Sequence, residues 1–322
     1  MRKYLIPETG TFYKANLHCH TTCSDGATTP EETKRLYMEQ GYSIIAFTDH
    51  ERMVCHNDLT DDKFLALNGF EYSCVPIYPN DYEFGYYKCC HICMIAEKAS
   101  MTPDMQVESG LRNYRPEVIN TSIAEAKKRG FYVVYNHPVW SDESYPEYMA
   151  YNGYDAMEMV NYGCVADGYE ERNMHIYDDM LKGGKKIGCV ATDDNHNPPR
   201  DAFGGFTMIK SDSLDYDSII SSLYAKNYYC SEGGPAIKEL YIEDDYIHIE
   251  FENARECYVT TAARMWIDGR KAVSPEGKLT HHSFKMNPRD TYFRLTVVGM
   301  DGKCSWTNAY FYSDLLFLSE KK

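Results

Sequence analysis

A chain of 322 residues with 43% apolar side chains is long enough to bury a sizeable core, and its 33 basic against 48 acidic residues give a net charge of −15. That balance excludes a basic stripe able to displace counterions from duplex nucleic acid. No run of about 18 apolar residues occurs, which excludes a membrane-spanning helix.

Tyr13 to Leu17 reads as the first strand and runs into His18-Cys19-His20, followed by the turn sequence Ser24-Asp25-Gly26. Met1 to Lys14, ahead of it, has Arg2 and Lys3 but no apolar stretch behind them, so no secretory signal is expected. Thr29-Pro30-Glu31-Glu32 starts a helix, with Thr29 as N-cap, Pro30 at the first helical position and Glu32 closing a capping box. Gly41 stops that helix, and Ser43 to Phe47 is a short strand leading into Thr48-Asp49-His50. Phe64 to Phe70 leads to Glu71, and Ile92 to Ala96 is a weaker strand beside His91. The stretches Tyr72 to Tyr87 and Lys98 to Tyr114 read as loops. Pro116 to Arg129 is a helix closed by Gly130, and Phe131 to Tyr135 leads to His137 in Asn136-His137-Pro138. Asp155 to Val160 is a strand and Tyr169 to Leu181 a helix stopped by Gly183-Gly184; Lys186 to Ala191 then leads to Asp193-Asp194-Asn195-His196. Alternating strands and helices with polar motifs at the strand ends predict a parallel α/β barrel.

The pattern changes after Gly234. Short alternating runs at 238–242, 247–251, 256–261, 265–267, 283–286, 292–298 and 305–311 are punctuated by Asp244-Asp245, Asp268-Gly269 and Asp301-Gly302. They predict a small sandwich-like all-β domain over 235–322, behind a first domain over 1–234.

Six of the eleven histidines fall in the ordered series His18, His20, Asp25, His50, Glu71, His91, His137, Asp194 and His196. Imidazoles with carboxylates suit borderline divalent ions such as Zn, Mn or Fe, and a set this rich can hold more than one. Asp193 and Asp194 compete for one role, the other being left to cap or orient a neighbour; Asp49 is expected to orient a nearby imidazole. Cys90-x-x-Cys93 has no second pair to complete a Cys₄ site and reads as buried packing. The twelve scattered cysteines, Cys19 inside the first motif, suit a reduced, cytoplasmic compartment. His56, His175, His248, His281 and His282 lie outside the series.

The order His-x-His, Asp, Thr-Asp-His, Glu, His, His-Pro, Asp-x-His resembles that of the PHP (polymerase and histidinol phosphatase) metal-dependent hydrolases, over residues 12 to 235. Tyr229-Cys230-Ser231-Glu232-Gly233-Gly234-Pro235 resembles the junction in the branch with a C-terminal β domain. Asp25 departs from the histidine usual among histidinol phosphatases, which points away from histidinol phosphate. The resemblance implies a distorted (β/α)7-type barrel and two to three divalent ions (Mn, Fe or Zn). His18, His20, Glu71 and Asp194 would hold the first, Glu71, His91 and His137 the second, and Asp25, His50 and His196 the third, a trinuclear centre with Glu71 as a bridge. It implies a phosphoesterase that attacks a small phosphorylated molecule with a metal-bridging hydroxide held by Glu71, Asp194 and His196. Arg200 resembles the cation that some members place against phosphate. A carbamate, ester or amide hydrolase using the same metals is the alternative; a non-catalytic metal-binding interaction module is another.

Overall fold

The computed structural model describes residues 2–75, 88–107, 113–263, 269–287 and 289–316. Its strands, in chain order, are β1 (Lys3–Tyr4), β2 (Thr11–Asn16), β3 (Ile44–Phe47), β4 (Leu65–Cys74), β5 (Cys90–Ala96), β6 (Phe131–Tyr135), β7 (Ala156–Asn161), β8 (Gly188–Thr192), β9 (Phe206–Ser211) and β10 (Tyr228–Ser231). They continue with β11 (Ile237–Glu243), β12 (Tyr246–Ala254), β13 (Glu256–Thr261), β14 (Lys271–Val273), β15 (Leu279–Lys285), β16 (Tyr292–Val298), β17 (Cys304–Thr307) and β18 (Tyr310–Phe311). The helices are α1 (Pro30–Glu39), α2 (Pro116–Arg129), α3 (Tyr145–Ala150), α4 (Tyr162–Ala166), α5 (Met174–Lys182), α6 (Tyr216–Tyr224) and α7 (Tyr312–Leu316). Among the described residues no helix is long and apolar enough to cross a membrane.

Local signals account for most element ends. Thr29 caps α1 by accepting the Glu32 N–H at 3.3 Å. The capping box is only half made, because the Glu32 carboxylate turns to Arg35 at 2.6 Å instead of to the cap backbone. Gly130, at φ +88°, ends α2 in the left-handed conformation that a side chain disfavours. The helix expected over 169–181 starts only at Met174, as α5, and a separate short helix, α4, precedes the expected range. Asn161 caps α4 by accepting the Cys164 N–H, Gly168 turns the chain, and α5 starts afresh at Met174.

The chain forms a mixed α/β fold with one large, parallel-rich sheet and a separate antiparallel one. In the large sheet β2, β3 and β4 are parallel neighbours, as are β6, β7 and β8. Between these sets β5 runs antiparallel to both β4 and β6, so strict β/α alternation is broken there. β4 consequently runs through Glu71 to Cys74, where the expectation stopped at Phe70, because Gly69–Cys74 pairs with Cys90–Ile95. No backbone ladder joins β8 to β9 among the described residues; the two meet where Ala191 N–H donates to Thr207 Oγ1 at 3.1 Å. The expected seven-stranded ring is therefore not closed by a ladder.

The C-terminal strands show the alternation expected of sheets with one face packed, as in the buried–intermediate pattern of β13. β1, β11, β12 and β15 form the antiparallel sheet, which packs Leu240, Ile247, Ile249 and Phe251 against Val259, Phe293, Leu295 and Val297. The opposing layer is an extension of the large sheet: β17 pairs with β10 through Tyr229–Thr307, Cys230–Trp306 and Ser231–Ser305. That ladder crosses the expected boundary at Gly234. Asp244 and Asp245, both at positive φ, make the expected hairpin turn between β11 and β12. The expected strand at 265–267 and most of the expected loop up to Tyr87 lie outside the described residues.

Candidate metal centre

Each residue of the series reaches the same end of the large sheet for a local reason. Beyond β2 the chain stays extended, with Cys19 bridged to Asn195, so His18 and His20 project on one face. Gly26 lets the next turn fold back, since a Cβ there would lie 2.6 Å from the His20 carbonyl. That turn sets Asp25 over His20. His50 follows β3 and is bridged to Glu71 of β4. His91 sits at the start of β5, and because β5 is antiparallel its start lies beside the end of β4. Register pairs Ser73 with His91 and Glu71 with Cys93, making Glu71 and His91 diagonal neighbours on one face. His137 and Asp194 occupy positive φ, 21° and 51°, local strain of the kind found at functional sites.

The nine side chains converge in three groups, each with donor atoms within 4.8 Å of one another: His18, His20, Glu71 and Asp194; Glu71, His91 and His137; and His20, Asp25, His50 and His196. Glu71 is at the centre. Its Oε1 lies 3.0 Å from His91 Nδ1, 3.0 Å from His137 Nε2 and 3.3 Å from His18 Nε2, while Oε2 lies 3.0 Å from His50 Nδ1 and 3.4 Å from His20 Nε2. Asp194 Oδ1 is 3.0 Å from His20 Nε2 and 3.2 Å from His18 Nε2. Asp25 is the exposed member, 3.5 Å from His196 Nε2 and 3.6 Å from His50 Nε2. A neutral imidazole has one free lone pair, so His20 serves one group, and its Nε2 faces the first.

The donor set fits divalent ions. Asp194 Oδ1 is buried and has no hydrogen-bond partner, although two imidazole nitrogens stand within 3.2 Å of it. His18 Nε2 and His20 Nε2 are 3.1 Å apart, close to the spacing of about 3 Å between two nitrogens on one ion. Charge points the same way. Burial lowers the His20 pKa, but Asp194 and Glu71 outweigh it and raise it to about 9. Burial also opposes charge on His18 and His91; Asp194 and Cys93 then raise His18, and Glu71 raises His91, well above the ordinary value. Burial pushes Glu71 and Asp194 up, yet the surrounding imidazoles bring both below the carboxylate range. The cluster thus demands positive charge, which protons or cations can supply.

Several residues that sequence reasoning missed hold the cluster in place. Glu158, buried in β7, accepts from His18 Nδ1 (2.7 Å), Thr192 Oγ1 (2.7 Å), the His137 N–H (2.9 Å) and Asn161 Nδ2 (2.9 Å). Its bond to Nδ1 leaves His18 Nε2 as the free lone pair. The signal was present: an acid inside the apolar run Ala156–Val160 has no reason to be buried except such partners. Asn136 donates to Glu71 and Asn161 to Asp194, both at 3.0 Å. Asp49 hydrogen-bonds to Thr21 and Ser24 and not to an imidazole of the nine: it accepts from Thr21 N–H and Ser24 Oγ, both at 2.8 Å, and so braces the loop carrying Asp25. Asp193 faces away, accepting from Tyr37 and from the N–H groups of Phe203, Gly204 and Gly205. Glu158→Gln is expected to weaken metal affinity by about 10–100-fold with the fold intact, read by metal titration alongside circular dichroism. Wild-type affinity in the variant would remove Glu158 from this role.

A cavity of about 450 Å³ opens over the cluster, lined by Asp25, His50, Trp140, Asp167, His196 and Arg200 among others. Trp140, 40% exposed, lays its ring beside His91 and His137, at 5.3 and 4.9 Å between centroids. Arg200 stands at the mouth with its guanidinium bonded to Asp167 at 3.0 Å.

No family model and no curated protein matches the chain. Among solved structures it is similar to a two-domain protein containing predicted PHP-like metal-dependent phosphoesterase from Bacteroides vulgatus ATCC 8482, with 15% identity, TM-score 0.49, and coverage of 96% of this chain and 98% of that one. A protein of Bifidobacterium adolescentis ATCC 15703, provisionally named a metal-dependent phosphoesterase, gives 15% identity and TM-score 0.37 over 68% of this chain and 97% of that one. An amidohydrolase from Chromobacterium violaceum with bound sulfate and no metal gives 15% and 0.40, over 66% and 96%.

Proposed function

We propose that this chain is a PHP-type metal-dependent hydrolase, and within that class a phosphoesterase acting on a small phosphorylated molecule. One observation carries the reading. Nine chemically apt side chains from six separate segments meet in three groups that share Glu71 and His20, with a buried carboxylate oxygen of Asp194 faced only by imidazole nitrogens. A packed core has no use for such an atom.

Bound divalent ions would supply Lewis acidity and a water acidified toward neutral pH. The protein's own groups do the rest. Glu71 and Asp194 provide the negative charge that retains cations among neutral imidazoles. Glu158, Asn136 and Asn161 fix the orientation of His18, Glu71 and Asp194. Asp25, with 58% of its side chain exposed, and His196, with 30%, stand at the rim, so the third group is the one open to a substrate. Trp140 covers the His91–His137 side and limits water there. Arg200 orients a phosphate oxygen if it leaves Asp167.

A second reading keeps the same machinery and changes the atom attacked. Around the mouth the exposed Asp25 and Asp167 outnumber Arg200, which Asp167 already engages. An acidic rim suits a neutral carbamate, ester or amide at least as well as a phosphate. Hydrolysis assays on metal-reconstituted protein separate the two. A phosphoesterase releases phosphate from monoesters or nucleotides and is competitively inhibited by inorganic phosphate or vanadate. Turnover of aryl carbamates or esters, with no phosphate released and only weak inhibition by phosphate, would establish the second reading instead.

A further inference from the structure

A fourth set of donors lies outside the three groups. Cys23, Asp49 and His56 each place one ligand atom within 4.8 Å of the other two. The three come from different segments: Cys23 from the loop after His20, Asp49 from the turn after β3, and His56 from the segment leading to β4. His56 is 7% exposed, and its Nε2 is buried with no hydrogen-bond partner. Burial lowers its pKa, so the ring is a neutral imidazole with a lone pair to offer. Cys23 is a free, half-buried thiol. Asp49 Oδ1 is occupied by the Thr21 N–H, Thr21 Oγ1 and Ser24 Oγ, whereas Oδ2 takes only the Thr21 hydroxyl at 2.9 Å and keeps a lone pair free.

We infer that Cys23, Asp49 and His56 form a separate site for one divalent ion of the zinc class. A thiolate, an imidazole and a carboxylate are the donors that select Zn²⁺ or Co²⁺ over Mg²⁺ or Ca²⁺. Around a tetrahedral ion such donors stand about 3.3–3.7 Å apart, so the side chains close by roughly 1 Å, and water completes the fourth position. Binding releases the thiol proton, and the thiolate becomes the ligand. The site ties the loop carrying Asp25 to the turn carrying His50, since Cys23 is two residues before the one and Asp49 immediately before the other. Its role is to clamp the rim of the third group rather than to touch substrate. This inference does not depend on the proposed reaction, because its readout is sulfur ligation and none of the nine clustered side chains contains sulfur.

Two measurements on the full chain test it. Co²⁺ added to protein already saturated with Mn²⁺ is expected to produce a near-ultraviolet sulfur-to-cobalt charge-transfer band that saturates at one equivalent. Cys23→Ser is expected to abolish the band, and His56→Ala to weaken Co²⁺ binding at this site at least tenfold. In the wild-type protein, Zn²⁺ is expected to slow alkylation of Cys23 by at least tenfold, with Cys55 and Cys304, the other half-buried thiols, as internal controls. No band at saturating cobalt, a band unchanged in Cys23→Ser, or equal alkylation of Cys23 with and without Zn²⁺ would each overturn the site. The alkylation test needs no variant, so misfolding of a mutant cannot mask the result.

Discussion

Glu71→Ala is expected to lose at least one equivalent of bound metal and to lower kcat/KM by about a thousandfold or more, because a shared anionic ligand supports several kcal/mol of transition-state charge stabilisation. The residue faces five imidazoles, and no other carboxylate of the cluster touches so many. Its replacement also removes the acceptor for Asn136 Nδ2 at 3.0 Å. Glu71→Gln keeps shape and removes charge, so a comparable loss in Gln identifies the charge as the cause. Metal analysis beside steady-state kinetics makes the check. Full metal content with near-normal turnover in the alanine variant would show that Glu71 bridges nothing.

The second large effect is on stability. Arg294 of β16 is 3% exposed, and its Nε and Nη2 each donate to Asp178 of α5 at 2.8 Å. The pair links the C-terminal strands to the helix before β8. Asp178→Ala leaves a buried guanidinium without its counter-charge, and removing one partner of such a pair costs about 3–5 kcal/mol. Urea unfolding is expected to show that loss as a lower midpoint with a similar slope. A double variant, Asp178→Ala with Arg294→Met, removes the stranded charge and is expected to recover part of it. A single variant within about 0.5 kcal/mol of wild type would mean that the guanidinium finds solvent or another partner.

The candidate ligands were legible because chemistry and topology coincide in the sequence. Most of them directly follow an apolar run, and Ser24-Asp25-Gly26 is a turn in any context. Such signals are local. What the sequence hid was set by pairing at a distance. His91 lies at the start of its strand and not at the end, which makes sense only once β5 is known to run antiparallel. Glu158 lies in mid-strand, where an acid in an apolar run signals buried partners but does not say which; three of its four donors, His18, His137 and Thr192, come from other segments. β1 pairs with β11, Lys3 with Ile242 and Tyr4 with Tyr241, and no local pattern encodes a partner so far along the chain. The same holds for β17 on β10, which joins the C-terminal strands to the large sheet. Asp49 was misjudged because adjacency to His50 suggested contact, whereas successive residues of extended chain point to opposite faces.

Metal titration of the metal-free protein, with the released protons counted, tests the central claim most directly. His20, with a pKa of about 9 when the cluster is empty of cations, is protonated at neutral pH and must lose that proton to ligate. Affinity is therefore expected to rise with pH up to about 9 and to fall in acid. Near neutral pH, Mn²⁺ is expected to bind at two to three equivalents within the nine-residue cluster and to displace protons into a weakly buffered solution. A folded protein that takes up less than one equivalent, or that binds metal with no proton release and no dependence on pH, would contradict the account.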